Sequence, residues 1–171
     1  MKHVIPYMIP ESTESSRDWS EGFNREDPVS TKDLAELATH PDTNIRWQVA
    51  QHPNTSAETL TRLSTDEYSP VRLNVGLHKN TPPETLMTML EDPSDRTRYG
   101  LTLNKNLPVE GLDKLASDPD ESVRRGVALS DNTPKYVMYG LTRDPDPDVS
   151  RIAKNLYRWG EDPFKDLFGD L

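Results

Sequence analysis

The chain contains no cysteine, which excludes a disulfide framework, a thiol nucleophile and any cysteine-held metal or cluster. Aromatic residues are sparse at 7% of 171 residues, and hydrophobic residues reach only 33%, which is little for a single large core. No apolar run approaches the roughly 20 residues needed to span a bilayer. Met1 to Pro10 is too short and too proline-broken to read as a signal peptide. The expectation is a soluble, cytoplasmic protein with no membrane contact. No Gly-rich phosphate loop and no set of nucleophile, base and orienting residue is legible, so neither an enzyme nor a cofactor is expected. The net charge of −9 is spread along the chain and disfavours non-specific attachment to nucleic acid or anionic lipid.

What the chain has in abundance is proline, 15 residues, and the prolines recur at fixed places. Val71-Arg-Leu-Asn-Val-Gly-Leu-His-Lys-Asn-Thr-Pro-Pro-Glu-Thr-Leu86, ending in Asp92-Pro93, is followed 26 residues later by Thr97-Arg-Tyr-Gly-Leu-Thr-Leu-Asn-Lys-Asn-Leu-Pro-Val-Glu-Gly-Leu112, ending in Asp118-Pro119. Self-similarity at such a period marks stacked repeats, each burying its apolar face against its neighbours. An i, i+4 pair recurs as Trp19/Phe23, Ile45/Val49, Val71/Val75, Thr97/Leu101, Val123/Val127 and Val149/Ala153. About 15 residues into each unit an i, i+3 pair follows: Leu34/Leu37, Leu60/Leu63, Leu86/Met89, Leu112/Leu115 and Met138/Leu141. Each unit therefore carries two short amphipathic helices.

The punctuation agrees. Thr55-Ser-Ala-Glu58 and Thr81-Pro-Pro-Glu84 read as capping boxes, and Pro82, Pro108 and Pro134 fall at an expected first helical position. Asp92-Pro93, Asp118-Pro119 and Asp144-Pro145 close each unit. Helices of two or three turns do not stand alone, so stability must come from stacking. The predicted architecture is an all-α solenoid of about five 26-residue, two-helix repeats with terminal caps. Residues 1–18 form an N-terminal arm, 19–156 the repeat domain and 157–171 a C-terminal cap or acidic-aromatic tail.

The unit Val-Arg-x-x-Val-Ala/Gly-x-x-x-Asn-Thr-Pro-x-x-x-Leu-x-x-Leu-x-x-Asp-Pro resembles the leucine-rich repeat variant family, a relative in style of HEAT repeats, over residues 19 to about 156. The resemblance implies a right-handed superhelix of alternating short helices. The unit is longer than the family's usual one by about two residues, which lengthens a loop. The cysteines that hold an iron–sulfur cluster in one known member are missing, which removes a redox role by that analogy.

Four arginines, Arg46, Arg72, Arg98 and Arg124, recur along one ridge and could track phosphates. The resemblance to HEAT-like units implies instead an aspartate–arginine ladder across neighbouring repeats, with Asp66, Asp92 and Asp118 each six residues before an arginine. On that register Asp144 meets Ser150 and the ladder ends. Asn54, Asn80, Asn106 and Asn132 form the most regular column, suited to the turn between helices and to bridging to the next unit's loop. His52 and His78 lie one period apart. Their column continues as Asn104 and Ser130, so it reads as an exposed polar loop position rather than a metal site. Gly76, Gly100, Gly126 and Gly140 sit inside helical pattern and are expected to permit close helix packing.

Columns that vary between units are free of stacking constraints. Trp47, Leu73, Tyr99, Arg125 and Arg151 make one such column: a binding stripe or the outer edge of the core. In the C-terminal stretch, Trp159, Phe164 and Phe168 fold over the end of the core or dock on a partner. The functional expectation is a non-catalytic, monomeric scaffold for a protein partner. One rival is a nucleic-acid-binding HEAT-like module, disfavoured because 14 Lys and Arg face 18 Asp and Glu between residues 34 and 156. The other is an acidic, virus-encoded type of inhibitor that mimics nucleic acid through its Asp-Pro loops.

Overall fold

The computed structural model describes residues 22–23 and 28–157. The N-terminal arm, Trp19 and the stretch from 158 to 171, with Trp159, Phe164 and Phe168, lie outside the described residues. Ten helices and no strand occur among the described residues: α1 (Thr31–Leu37), α2 (Thr43–Gln51), α3 (Ala57–Leu63), α4 (Ser69–Leu77), α5 (Pro83–Thr88), α6 (Asp95–Thr102), α7 (Val109–Leu115), α8 (Glu121–Leu129), α9 (Lys135–Leu141) and α10 (Pro147–Leu156). None is long and apolar enough to cross a membrane.

The even-numbered helices are the first helices of successive units, and they stack on one another in sequence, α2 on α4, α4 on α6, α6 on α8 and α8 on α10. The odd-numbered second helices pack chiefly against these first helices and scarcely touch one another. The molecule is thus an all-α solenoid with one tightly stacked layer and one looser layer. Local chemistry sets the breaks. Ser30, Asp42, Ser56, Ser94, Asp120 and Asp146 cap helix starts by accepting backbone N–H groups, which removes donors that would otherwise lack partners.

The core lies between the layers. Ile45, Val71, Val123 and Val149 line it from the first helices together with Val49, Val75, Leu101 and Val127, while Leu60, Leu86, Leu112 and Leu115 line it from the second, all of them essentially inaccessible. One unit orders too many residues for the few side chains it buries, so each depends on its neighbours.

Three local expectations shift. Pro82, Pro108 and Pro134 are N-caps rather than first helical residues, a displacement of one position. The threonines of the expected capping boxes do not cap: Thr55 and Thr81 donate their hydroxyls to the carbonyls of Val49 and Val75, at 2.5 and 2.6 Å, and Ser56 caps α3 instead. Gly22 and Phe23 are not helical. Gly22 has φ +84°, and a Cβ there would sit 2.7 Å from the Gln48 amide nitrogen. This places the Phe23 N–H 2.9 Å from Gln48 Oε1, with its ring edge-on to His52 at 5.8 Å. Phe23 is still buried, so it does core duty without the predicted helix geometry.

Leu112→Ala removes a fully buried side chain from a middle unit, and the expected loss is about 2–5 kcal/mol, read by urea unfolding. Against a total of roughly 5–15 kcal/mol, that leaves a solenoid whose transition midpoint falls clearly.

Candidate functional site

The first helices α2, α4, α6 and α8 each carry an arginine one residue beyond the first core position, so its side chain leaves the helix beside the core and reaches the loops between units. Arg46 Nε and Nη2 meet Asp66 Oδ2 and Oδ1 at 2.6 and 3.0 Å. Arg72 meets Asp92 at 2.6 and 3.0 Å, Arg98 meets Asp118 at 2.7 and 2.9 Å, and Arg124 meets Asp144 at 2.7 and 2.9 Å. These are two-pronged guanidinium–carboxylate pairs, nearly excluded from solvent on both sides. The ladder exists, but its register differs from the expected one. The paired carboxylate lies 20 residues after the arginine. The residue six before supplies its backbone carbonyl to Nη1, at 2.9 Å from His40 and 2.7 Å from Asp66 and Asp92. Asp144 therefore holds the fourth rung, while Ser150 donates to the Thr142 carbonyl at 2.7 Å.

Burial pushes the carboxyls of Asp66, Asp92 and Asp144 upward, but the hydrogen bonds from their arginines and from a backbone N–H outweigh it and leave all three below the ordinary aspartate value. The hydrogen bonds to aspartate raise the arginines in turn. These four guanidiniums are spent on the protein itself.

The asparagine column bridges units backwards rather than forwards. Asn80 Nδ2 donates to the carbonyls of Pro53 and Thr55 at 3.1 and 3.0 Å. Asn106 does so to Lys79 and Thr81 at 2.8 and 3.0 Å, and Asn132 to Lys105 at 3.2 Å. Asn54 is exposed, with its N–H on His52 Nδ1 at 3.2 Å. The histidine column is not an exposed loop position: His52, His78 and Asn104 are buried. His78 Nδ1 accepts the Asn80 N–H at 3.0 Å, so its Nε2 carries the proton and donates to the His52 carbonyl at 3.0 Å. Asn104 reproduces both roles, accepting from Asn106 N–H and donating to the His78 carbonyl. These side chains satisfy carbonyls left open where the first helices end. No group of three His, Asp or Glu placed to hold a metal occurs among the described residues.

The variable column on the first helices divides. Trp47 is 38% exposed and Arg125 and Arg151 are exposed, whereas Leu73 and Tyr99 are half-buried. Each of those two lies over a glycine of the next first helix: a Cβ on Gly100 would come within 2.7 Å of Leu73 Cδ1, and one on Gly126 within 2.9 Å of Tyr99 Cδ2. Gly140 has open space beside it, so it serves no close packing, contrary to expectation. The structure adds a column that sequence reasoning passed over. Leu77, Leu103 and Leu129, one period apart, are 44%, 49% and 50% exposed. Each follows the variable column by four residues, so it lies on the same helical face. That spacing was the available signal. Between Leu103 and Leu129 lies a cleft of about 130 Å³, lined also by Thr102, Asn104, Lys105, Ser130, Asp131 and Asn132.

No protein-family model and no curated protein matches the chain. A solved structure described as a leucine-rich repeat variant with a novel repetitive protein structural motif is similar to it, with 27% identity and a TM-score of 0.61 over 74% of this chain. The chain resembles a leucine-rich repeat variant. It spans 51% of that leucine-rich repeat variant's own length, and the likeness is one of fold and repeat.

Two measurements check how this solenoid is held together. Arg98→Ala leaves Asp118 charged beside the core, and about 3 kcal/mol is the expected loss in urea unfolding; Arg98→Lys should recover only part of it, because an ammonium cannot grip both oxygens. Asp66, Asp92 and Asp144 bind protons more weakly folded than unfolded. Their stabilisation is complete above the unfolded value of about 3.9 and is lost as pH falls through their lower folded values. The thermal midpoint should accordingly hold level from neutral pH to about 5 and drop below about 4. Separately, Gly140→Ala should raise stability by roughly 0.5–1 kcal/mol, while Gly100→Ala should lower it by driving Leu73 off its seat.

Proposed function

We propose that this chain is a non-catalytic scaffold that binds a partner protein across the exposed face of its first helices. The observation that carries the reading is the row formed by Leu77, Leu103 and Leu129, with Trp47 one turn earlier on α2, uncovered on the stacked layer. Large apolar side chains in a row on a preformed array offer a partner broad contact at low ordering cost.

The ladder takes up residues on which both rival chemistries would draw. A phosphate-tracking ridge would need Arg46, Arg72, Arg98 and Arg124, each already gripping a carboxylate. A nucleic-acid mimic would draw on Asp118, Asp120, Glu121, Asp144, Asp146 and Asp148 of the Asp-Pro loops. Of these, Asp118 and Asp144 are bound to those arginines, and Asp120 and Asp146 cap helices.

The test is site-specific photo-crosslinking in the source cell, with a benzophenone side chain placed at Trp47 or Leu129 on the first helices, or at Glu58 on a second helix as control. One discrete protein trapped from the first-helix positions and not from Glu58 is the expected result. Trapping of nucleic acid, or equal trapping from both layers, would sink the reading.

A further inference from the structure

The chain as a whole is acidic, but the face that carries its exposed leucines is not. On α6 Arg96 faces outward with the half-buried Tyr99 and the C-cap residue Leu103, and on α8 Arg125 and Leu129 do so, at the three- and four-residue spacing of a single helical stripe. Lys79 and Lys105 follow in the turns just beyond α4 and α6, and all four cations are exposed. Among the described residues none of the four forms an ion pair, and Arg125 acts electrostatically on the Asp148 carboxylate. The carboxylates of α6 and α8 are placed elsewhere: Asp95 and Glu121 act electrostatically on the ladder residues Arg98 and Arg124. On α10, Asp148 already holds Arg151 at 2.8 Å. Asp131 is the acid in the lining of the cleft.

From this segregation we infer that the face binds an acidic, apolar-anchored peptide segment of another protein, with one apolar side chain seated in the cleft between Leu103 and Leu129 and carboxylates over Arg96, Arg125 and Lys105. The inference rests on the interaction reading above and specifies the partner's chemistry. A cleft of about 130 Å³ suits one leucine or phenylalanine side chain and is too small for a folded domain's edge. A seat of this kind, enclosed by polar and charged groups, is the arrangement in which a few anchors supply most of the binding energy. Unpaired surface cations around it add rate and specificity for an acidic ligand. A basic segment would meet four like charges against two carboxylates, Asp131 and Asp148, and a nucleic acid would leave the leucines uncovered by anything apolar.

The experiment is selection of displayed random peptides about 16 residues long on the immobilised full chain, followed by titration of the enriched peptides in solution. Enriched sequences should combine Asp or Glu with Leu, Phe or Trp. Affinity should fall roughly tenfold in Arg125→Glu and in Leu103→Ser, and should weaken as salt rises. Arg125→Glu changes only an exposed side chain, so it keeps the test valid should Leu103→Ser disturb the fold. Basic enriched sequences, no enrichment, affinities unchanged in both variants, or displacement by a thymidine oligonucleotide would each overturn the inference. So would binding that appears only after residues 158–171 are deleted, because the chain's own end would then be the occupant. If crosslinking traps a partner whose contacting segment is neither acidic nor apolar, this inference falls while the scaffold reading stands. Failure of both experiments removes both.

Discussion

A guanidinium that grips one loop with two nitrogens and a second loop with the third is the constraint on which the stacking depends. Asp66 shows the arrangement: its carboxylate is held by Arg46 and its carbonyl by Arg72, while its Oδ1 also accepts the Tyr68 N–H at 2.9 Å. One residue thereby fixes the end of one unit, the turn into the next helix and the distance between two first helices. Without this clamp, helices of six to ten residues would have only the packing of small side chains to define their spacing, and packing alone is tolerant of sliding. Polar columns repeat the device on the other side of the first helices, where His78, Asn80, Asn104 and Asn106 tie each turn to the preceding one.

With spacing fixed at both ends, the first helices approach closely enough that a methyl group becomes an obstacle at Gly100 and Gly126. The side chains displaced onto those glycines, Leu73 and Tyr99, fill the seam and are partly lost to solvent. What stays uncovered is the next turn along, Leu77, Leu103 and Leu129. The same tight stacking that protects the core thus sets which apolar residues a partner can reach.

Most of the architecture was legible in the sequence, because a 26-residue period and two apolar pairs per unit determine which side chains face inward. The ladder's partner was harder for a reason built into periodicity itself. An aspartate six residues before one arginine is also 20 residues after the previous one, and the two offsets differ by one repeat. Only the ends break the degeneracy: His40 stands six before Arg46, and Asp144 lies 20 after Arg124 with Ser150 ahead of it. Both favour the pairing observed. The histidine column misled because polar character was read as exposure. In a solenoid of short helices, many carbonyls at helix ends lie inside, and His52, His78 and Asn104 are buried to meet them. The exposed leucines were visible at their spacing, yet leucine at a helical repeat reads as core until the neighbouring helix is seen to pass beneath it.

The clamp also makes the chain editable in whole repeats. Every ladder arginine looks forward to a carboxylate and backward to a carbonyl, and both partners recur at the same interval. Excising residues 71–96 joins Pro70 to Thr97, so that Arg98 inherits the Asp66 carbonyl while keeping Asp118, and Arg46 keeps Asp66. No interior charge is stranded, and the count of rungs simply changes by one. Length in this molecule is therefore an adjustable quantity, measured in steps of one unit, and the extent of its surface can grow or shrink without any new interaction having to be invented.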